Sequence, residues 1–317
     1  MAGERSASDL PLAARERMAE IRRSGTWGSA LTTGEFAAIR SAGFEPAGQV
    51  LGAAVYNIGY AGGYACPGGW SSGFGLGGGP VVGWTQVSSQ GGWGSFAPLA
   101  SAMYDARHKA IGRMIAECRE LGGHGVVGVR LAIGHFPAGG LEFRAIGTAV
   151  RGAGAAAPRL PFSSDLSGQD FAKLILAGWV PAGLVLGISI AARHDDWATI
   201  SSARWGAGNA EVAGYTELVN LARHDARVQL EADVARLGAD GVVIAANHLR
   251  VSHRECPAME GRRDHIAEVT IIGTAIARFT RSRGPAEPAP PDVLPVLSLD
   301  PQRRQAARVR LGRSPGG

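Results

Sequence analysis

The chain has 317 residues, 45% of them hydrophobic, with 32 lysines and arginines against 27 acids. That length accommodates about two domains of ~100–150 residues, each able to bury its own core. The longest apolar run, Val180 to Ala192, is shorter than the ~20 residues that cross a bilayer, and three cysteines make no disulfide framework.

Residues 1–26 read as a helical or flexible segment. Arg15, Glu16, Arg17 and Glu20 interrupt any apolar leader there, so the expectation is a cytoplasmic protein without a membrane span. A first block follows, and the chain later repeats it. Phe36, Gly43, Pro46, Gly48, Leu51 and Gly52 recur as Phe171, Gly178, Pro181, Gly183, Leu186 and Gly187 at a constant offset of 135. In each copy the pattern is a short helix, a turn and a strand, "AGQVLGAAVY" or "AGLVLGISIA".

An insertion at about 57–98 separates this strand from the next helix. It holds 14 glycines in 42 residues, and no Asp, Glu, Lys or Arg occurs between Pro46 and Tyr104. Trp70, Trp84, Trp93, Phe74 and Phe96 lie within it, so it reads either as a glycine-aromatic flap over a neighbouring surface or as a loop without fixed structure. Gly73, Gly75 and Gly78 satisfy a G-x-G-x-x-G spacing, but no helix opens there and no acid follows at the distance a dinucleotide site needs.

A long helix comes next. Met103, Ala106, Ala110, Met114, Cys118 and Leu121 recur as Val219, Ala222, Ala226, Leu230, Val234 and Leu237, offset by 116, and spacings of three and four put them on one face. Gly122 and Gly238 then stop each helix where a left-handed residue costs least. The strands "GVVGVRLAI" and "GVVIAANHL" start next and return as "EFRAIGTAVR" and "EVTIIGTAIA", one hairpin per copy. The fold expected is therefore α+β: two tandem domains, 27–151 and 162–281, joined by 152–161, each a small mixed sheet on one long helix. A Pro-rich and Arg-rich tail spans 282–317.

The segments "ARHKAIGRMIAECRELGGHGVVGV" and "IGTAV" resemble the YbjQ-like heavy-metal-binding family, whose members carry a long helix, an "LGAD" turn, a "VVG" strand and a closing "GTAV" strand. The resemblance covers about residues 27–151 and 162–279. Tyr215, seven residues before Ala222, matches the family's tyrosine at the helix start; Tyr104, two before Ala106, departs from that spacing. His124 replaces the usual aspartate, which Asp240 retains. The resemblance implies a small α+β domain that assembles into a five-membered ring and carries a metal-binding label.

Candidate chemistry is sparse. His108 and His224 sit two positions beyond the core alanines, about 200° around the helix, as exposed residues or contacts between subunits. Glu117 and Asp233 form a repeated acid without a catalytic partner, and Cys118, replaced by Val234, behaves as a core side chain. The last hairpin, "HRECPAMEGRRDH", offers His253, Cys256 and His265 for zinc or another divalent metal, with Asp264, Glu255 or water as a fourth ligand. The period of two puts Val243 and His253 on one face and His248 on the other unless a bulge intervenes. Arg254, Arg262 and Arg263 weigh against a cation there. In the tail, Arg303, Arg304, Arg308, Arg310 and Arg313 account for a charge of +5, equal to the whole chain's +5, so residues 1–300 are formally neutral; the tail is either a solvated arm or a contact for nucleic acid or an anionic surface. Three classes stay open: an oligomeric binding or scaffold protein whose first partner is itself, a metal-dependent enzyme using the last hairpin, and a nucleic-acid or membrane-surface protein. No H-E-x-x-H motif and no paired cysteines at zinc-site spacing are present to name a reaction.

Overall fold

The computed structural model describes residues 10–26, 28–57, 84–90, 96–136, 140–154, 158–204, 206, 208–256 and 263–278. Most of the glycine-rich insertion and the whole Pro- and Arg-rich tail lie outside them. The described residues all fall within one compact unit, Met1–Phe279, so both repeats belong to a single unit. No helix among the described residues is long and apolar enough to cross a membrane.

In chain order, the first half contains α1 (Leu12–Ser24), α2 (Thr33–Ser41), β1 (Phe44–Tyr56), β2 (Trp84–Val87), a 3-10 turn at Ser88–Gln90, α3 (Ala97–Glu120), β3 (Gly125–Phe136) and β4 (Gly140–Gly152). The second half adds β5 (Phe162–Ser163), α4 (Gly168–Leu176), β6 (Trp179–His194), α5 (Trp197–Ser202), α6 (Ala213–Arg236), β7 (Gly241–Glu255) and β8 (Arg263–Arg278). The strands form two four-stranded sheets, ordered β1-β4-β3-β5 and β2-β6-β8-β7. This is the expected α+β architecture, with one 24-residue helix, α3 or α6, on each sheet.

The repeat extends to individual bonds. Thr32 accepts the Glu35 backbone N–H to cap α2, and Ser167 accepts that of Asp170 to cap α4, each satisfying an N–H that the helix leaves unpaired. Bulges fall at Pro46/Gly48 and again at Pro181/Gly183. Where α3 crosses β1, a Cβ on Gly52 would overlap the Ala110 carbonyl; where α6 crosses β6, one on Gly187 would overlap that of Ala226. Glycine is required at both crossings because backbone meets backbone.

Each helix also anchors its strand through a buried carboxylate. Leu51 N–H donates to Glu117 at 2.7 Å, and Leu186 N–H to Asp233 at 3.2 Å. Arg17 of α1 closes on Glu117, while Tyr104 and Arg236 close on Asp233. Burial raises the Glu117 carboxyl above its ordinary value of 4.5, against the opposing hydrogen bond from Leu51. A raised native pKa favours the fold fully below the ordinary value and loses that contribution as pH rises through the raised one. Glu117→Gln keeps an acceptor for Leu51 and cannot ionise, so its stability relative to the parent should climb between about pH 4 and pH 7. Paired thermal melts across that range check this; a difference that stays flat with pH contradicts it.

The two repeats exchange strands. β2, from the first half, pairs with β6 of the second sheet; β5, on the way into the second repeat, pairs in parallel with β3 of the first. Leu184 and Leu186 of β6 share a core with Ala106, Ala110 and Met114 of α3, so the first helix is sandwiched between its own sheet and the next.

Candidate metal centre

The site at the far end of the second sheet follows from strand register. Across three strands His194, Asp264 and Arg254 stand in one row, and Arg193, His265 and His253 in the next. Adjacent rows point to opposite faces, so two polar clusters form back to back.

On the α6 face, His265 Nδ1 lies 3.0 Å from Asp195 Oδ1, and the Tyr215 hydroxyl donates to Asp195 Oδ2 at 3.2 Å. The Tyr215 and His265 rings are 4.5 Å apart and those of His253 and His265 6.0 Å. Burial, reinforced by the charge of Asp195, pushes the Tyr215 hydroxyl up to about 12, so it acts as a hydrogen-bond donor at neutral pH. Arg193 reaches Thr85 of β2 at 2.9 Å and pairs with Asp196 and Glu217, tying the inserted strand to this end of the sheet.

On the opposite face, His194 Nδ1 lies 2.8 Å from Asp264 Oδ1. Cys256, the first residue beyond β7, joins them, and one donor atom from each of the three lies within 4.8 Å of the others. All are buried, with exposures of 1%, 0% and 6% for His194, Asp264 and Cys256. Arg254 Nε sits 3.9 Å from the other carboxylate oxygen of Asp264.

The hairpin residues expected to act together are thus divided by the sheet. His253 and His265 face each other on the α6 side, whereas Cys256 lies on the far side with Asp264. Glu255 is exposed. The bulge between Ile244 and Ala246 shifts the alternation, so Val243 shares a face with His248 and Asp264 rather than with His253. His108 meets Tyr104 and Asp233 at the junction of the repeats, where burial lowers its pKa; His224 is exposed. Cys118 is a core thiol pushed up to about 12 by burial. His194 escaped sequence reasoning because it ends the apolar run of β6. The string "ARHDD" at 192–196 marks where that run turns polar, and cross-strand register is what delivers it to Asp264.

Residues 88–153, which hold α3, β3 and β4, match the model of a family described as "Putative heavy-metal-binding". Over 281 residues the chain is 33% identical to the encapsulin nanocompartment protein Rv1762c of Mycobacterium tuberculosis, covering 86% of this chain and 92% of that protein. The chain belongs to the Rv1762c family. No solved structure matches it. The match to Rv1762c takes in most of both sheets, whereas the heavy-metal-binding match stops short of His194, Cys256 and Asp264.

Proposed function

We propose that this member of the Rv1762c family is a self-assembling scaffold, built from two YbjQ-like units at 27–151 and 162–281, whose copies join head to tail. One observation carries the reading: the junction between the two repeats has a counterpart at β7 that is open among the described residues. Within the chain, residues 162–166 lie along the outer edge of β3. Ser164 N–H donates to the Val126 carbonyl at 2.9 Å, and Val129 N–H donates to the Ser164 carbonyl at 2.9 Å. The same segment is pinned to its own repeat, with Ser164 Oγ 3.0 Å from Thr274 Oγ1 and Asp165 N–H donating to Thr274 at 3.1 Å.

Ser29 and Ala30 repeat those bonds on Thr148, at 3.2 and 3.1 Å. The N-terminal segment is therefore held in the same attitude, while β7, the counterpart of β3, pairs with no strand on its outer edge among the described residues. The side chains tell the same story. Leu166 and Phe171 help bury Val127 completely, yet its counterpart Val243 is 36% exposed and Ile244 50%. Leu31 and Phe36 are the counterparts of Leu166 and Phe171, and both are only half-buried. An incoming copy's Leu31 and Phe36 would cover Val243 and close the edge, which is otherwise a liability. The correspondence stops at Ile244, which replaces the positive-φ Gly128. A contact of this head-to-tail kind builds a ring when the rotation between copies closes, and the relative is named as a nanocompartment protein, a setting that suits such a scaffold.

The register can be tested directly. Val126 pairs with Ser163, so the counterpart pair across chains is Val242 with Gly28, close enough for a disulfide. A chain carrying Gly28→Cys and Val242→Cys should form covalent multimers under oxidising conditions, which reductant dissolves and neither single variant gives. Recovery of uncross-linked chains from the double variant would contradict the proposed contact.

A further inference from the structure

We infer that His194, Cys256 and Asp264 form a binding site for zinc or a divalent ion of similar softness, on the sheet face turned away from α6. Three segments converge there: the end of β6, the residue after β7 and the start of β8. Their donor atoms lie within 4.8 Å of one another, and ligands around tetrahedral zinc are roughly 3.3–3.8 Å apart, so closing on an ion needs only small side-chain movements. An imidazole nitrogen, a thiolate and a carboxylate form a mixed set that suits zinc better than calcium or magnesium, which prefer oxygen alone. Thiolate and carboxylate together supply the two negative charges that balance a divalent ion in a buried place.

Arg254 places a cation beside the site. It lies by Asp264 Oδ2 while Oδ1 faces His194, so it can hold the carboxylate from behind while the other oxygen ligates, as outer partners of metal ligands commonly do. Three protein donors leave a fourth position for water or another ligand. In the first repeat the hairpin pairing ends at Phe136 and Gly140, the counterparts of Ser252 and Ile266, so Cys256 and Asp264 lie on an extension of the second hairpin and the site belongs to the second repeat alone. It depends on no contact between copies and stands whether or not the chains assemble.

The test uses the full chain, stripped with a chelator and reloaded with zinc or with cobalt(II), at matched oligomeric mass. The parent should retain about one zinc per chain after desalting, and the cobalt form should show a thiolate-to-cobalt charge-transfer band. Cys256→Ser and Asp264→Asn preserve shape, and each should lower retained metal at least about tenfold, with the band lost in Cys256→Ser. His253→Ala and His265→Ala, on the other face, should leave both readouts unchanged. A parent that retains no metal, a Cys256→Ser variant that retains it in full, or loss of metal in the His253 and His265 variants would each overturn the assignment and leave His194 and Asp264 as a buried hydrogen-bonded pair.

Discussion

Gly187→Ala should destabilise the protein by roughly 3 kcal/mol, the upper end for overpacking a core, and lower its melting temperature by about 6 °C. The added methyl would overlap the Ala226 carbonyl and crowd the Leu230 side chain. Neither rotation nor a flexible side-chain end can relieve a clash with helix backbone, so α6 must lift from β6, weakening the Leu186–Asp233 bond made one residue away. Gly52→Ala should do the same to α3 through Ala110 and Met114. Gly112 provides the contrast: it is exposed on α3 with nothing near the position of a Cβ, and alanine there should stabilise by up to about 1 kcal/mol through helix propensity. Thermal or urea unfolding of the three variants measures this; a Gly187→Ala melt indistinguishable from the parent would contradict the backbone contact.

Val242→Pro should release the assembly into single chains without unfolding them. Its counterpart Val126 points its carbonyl outward to Ser164, so Val242 presents its backbone to the outer edge and not to β8. A proline there removes an outward N–H, and its ring stands where an incoming strand would lie. Association should weaken at least about tenfold, the equivalent of ~1.4 kcal/mol, while circular dichroism keeps its parental shape. Val242→Ala, which loses similar packing but retains the N–H, should stay assembled. Equal dissociation of the two variants would show that side-chain packing, and not the open edge, holds the copies together.

Much of this architecture is legible in the linear chain because both repeats preserve backbone-critical residues. Gly52 and Gly187 recur at one offset because each helix crossing excludes a Cβ, and Ala110 and Ala226 recur at another because the same crossings leave no room for larger side chains. The strand exchange is not legible. β5 is the first two residues of the second repeat and β2 four residues of an insertion, and their pairing depends on which edges the repeats leave open, a property of the assembled sheets. The candidate site shows the same division. Cys256 and Asp264 stand out by residue type within the last hairpin, but their separation from His253 and His265 follows from one-residue alternation across paired strands. His194 lies 62 residues before Cys256, and only the β6–β8 register joins them.

The mass of the parent chain in solution tests the head-to-tail account most directly. Static light scattering at micromolar concentration should give a discrete particle several times the 32.8 kDa of one chain, stable on dilution through the range where Val242→Pro has already become monomeric. A parent that remains a stable monomer of 32.8 kDa would contradict it.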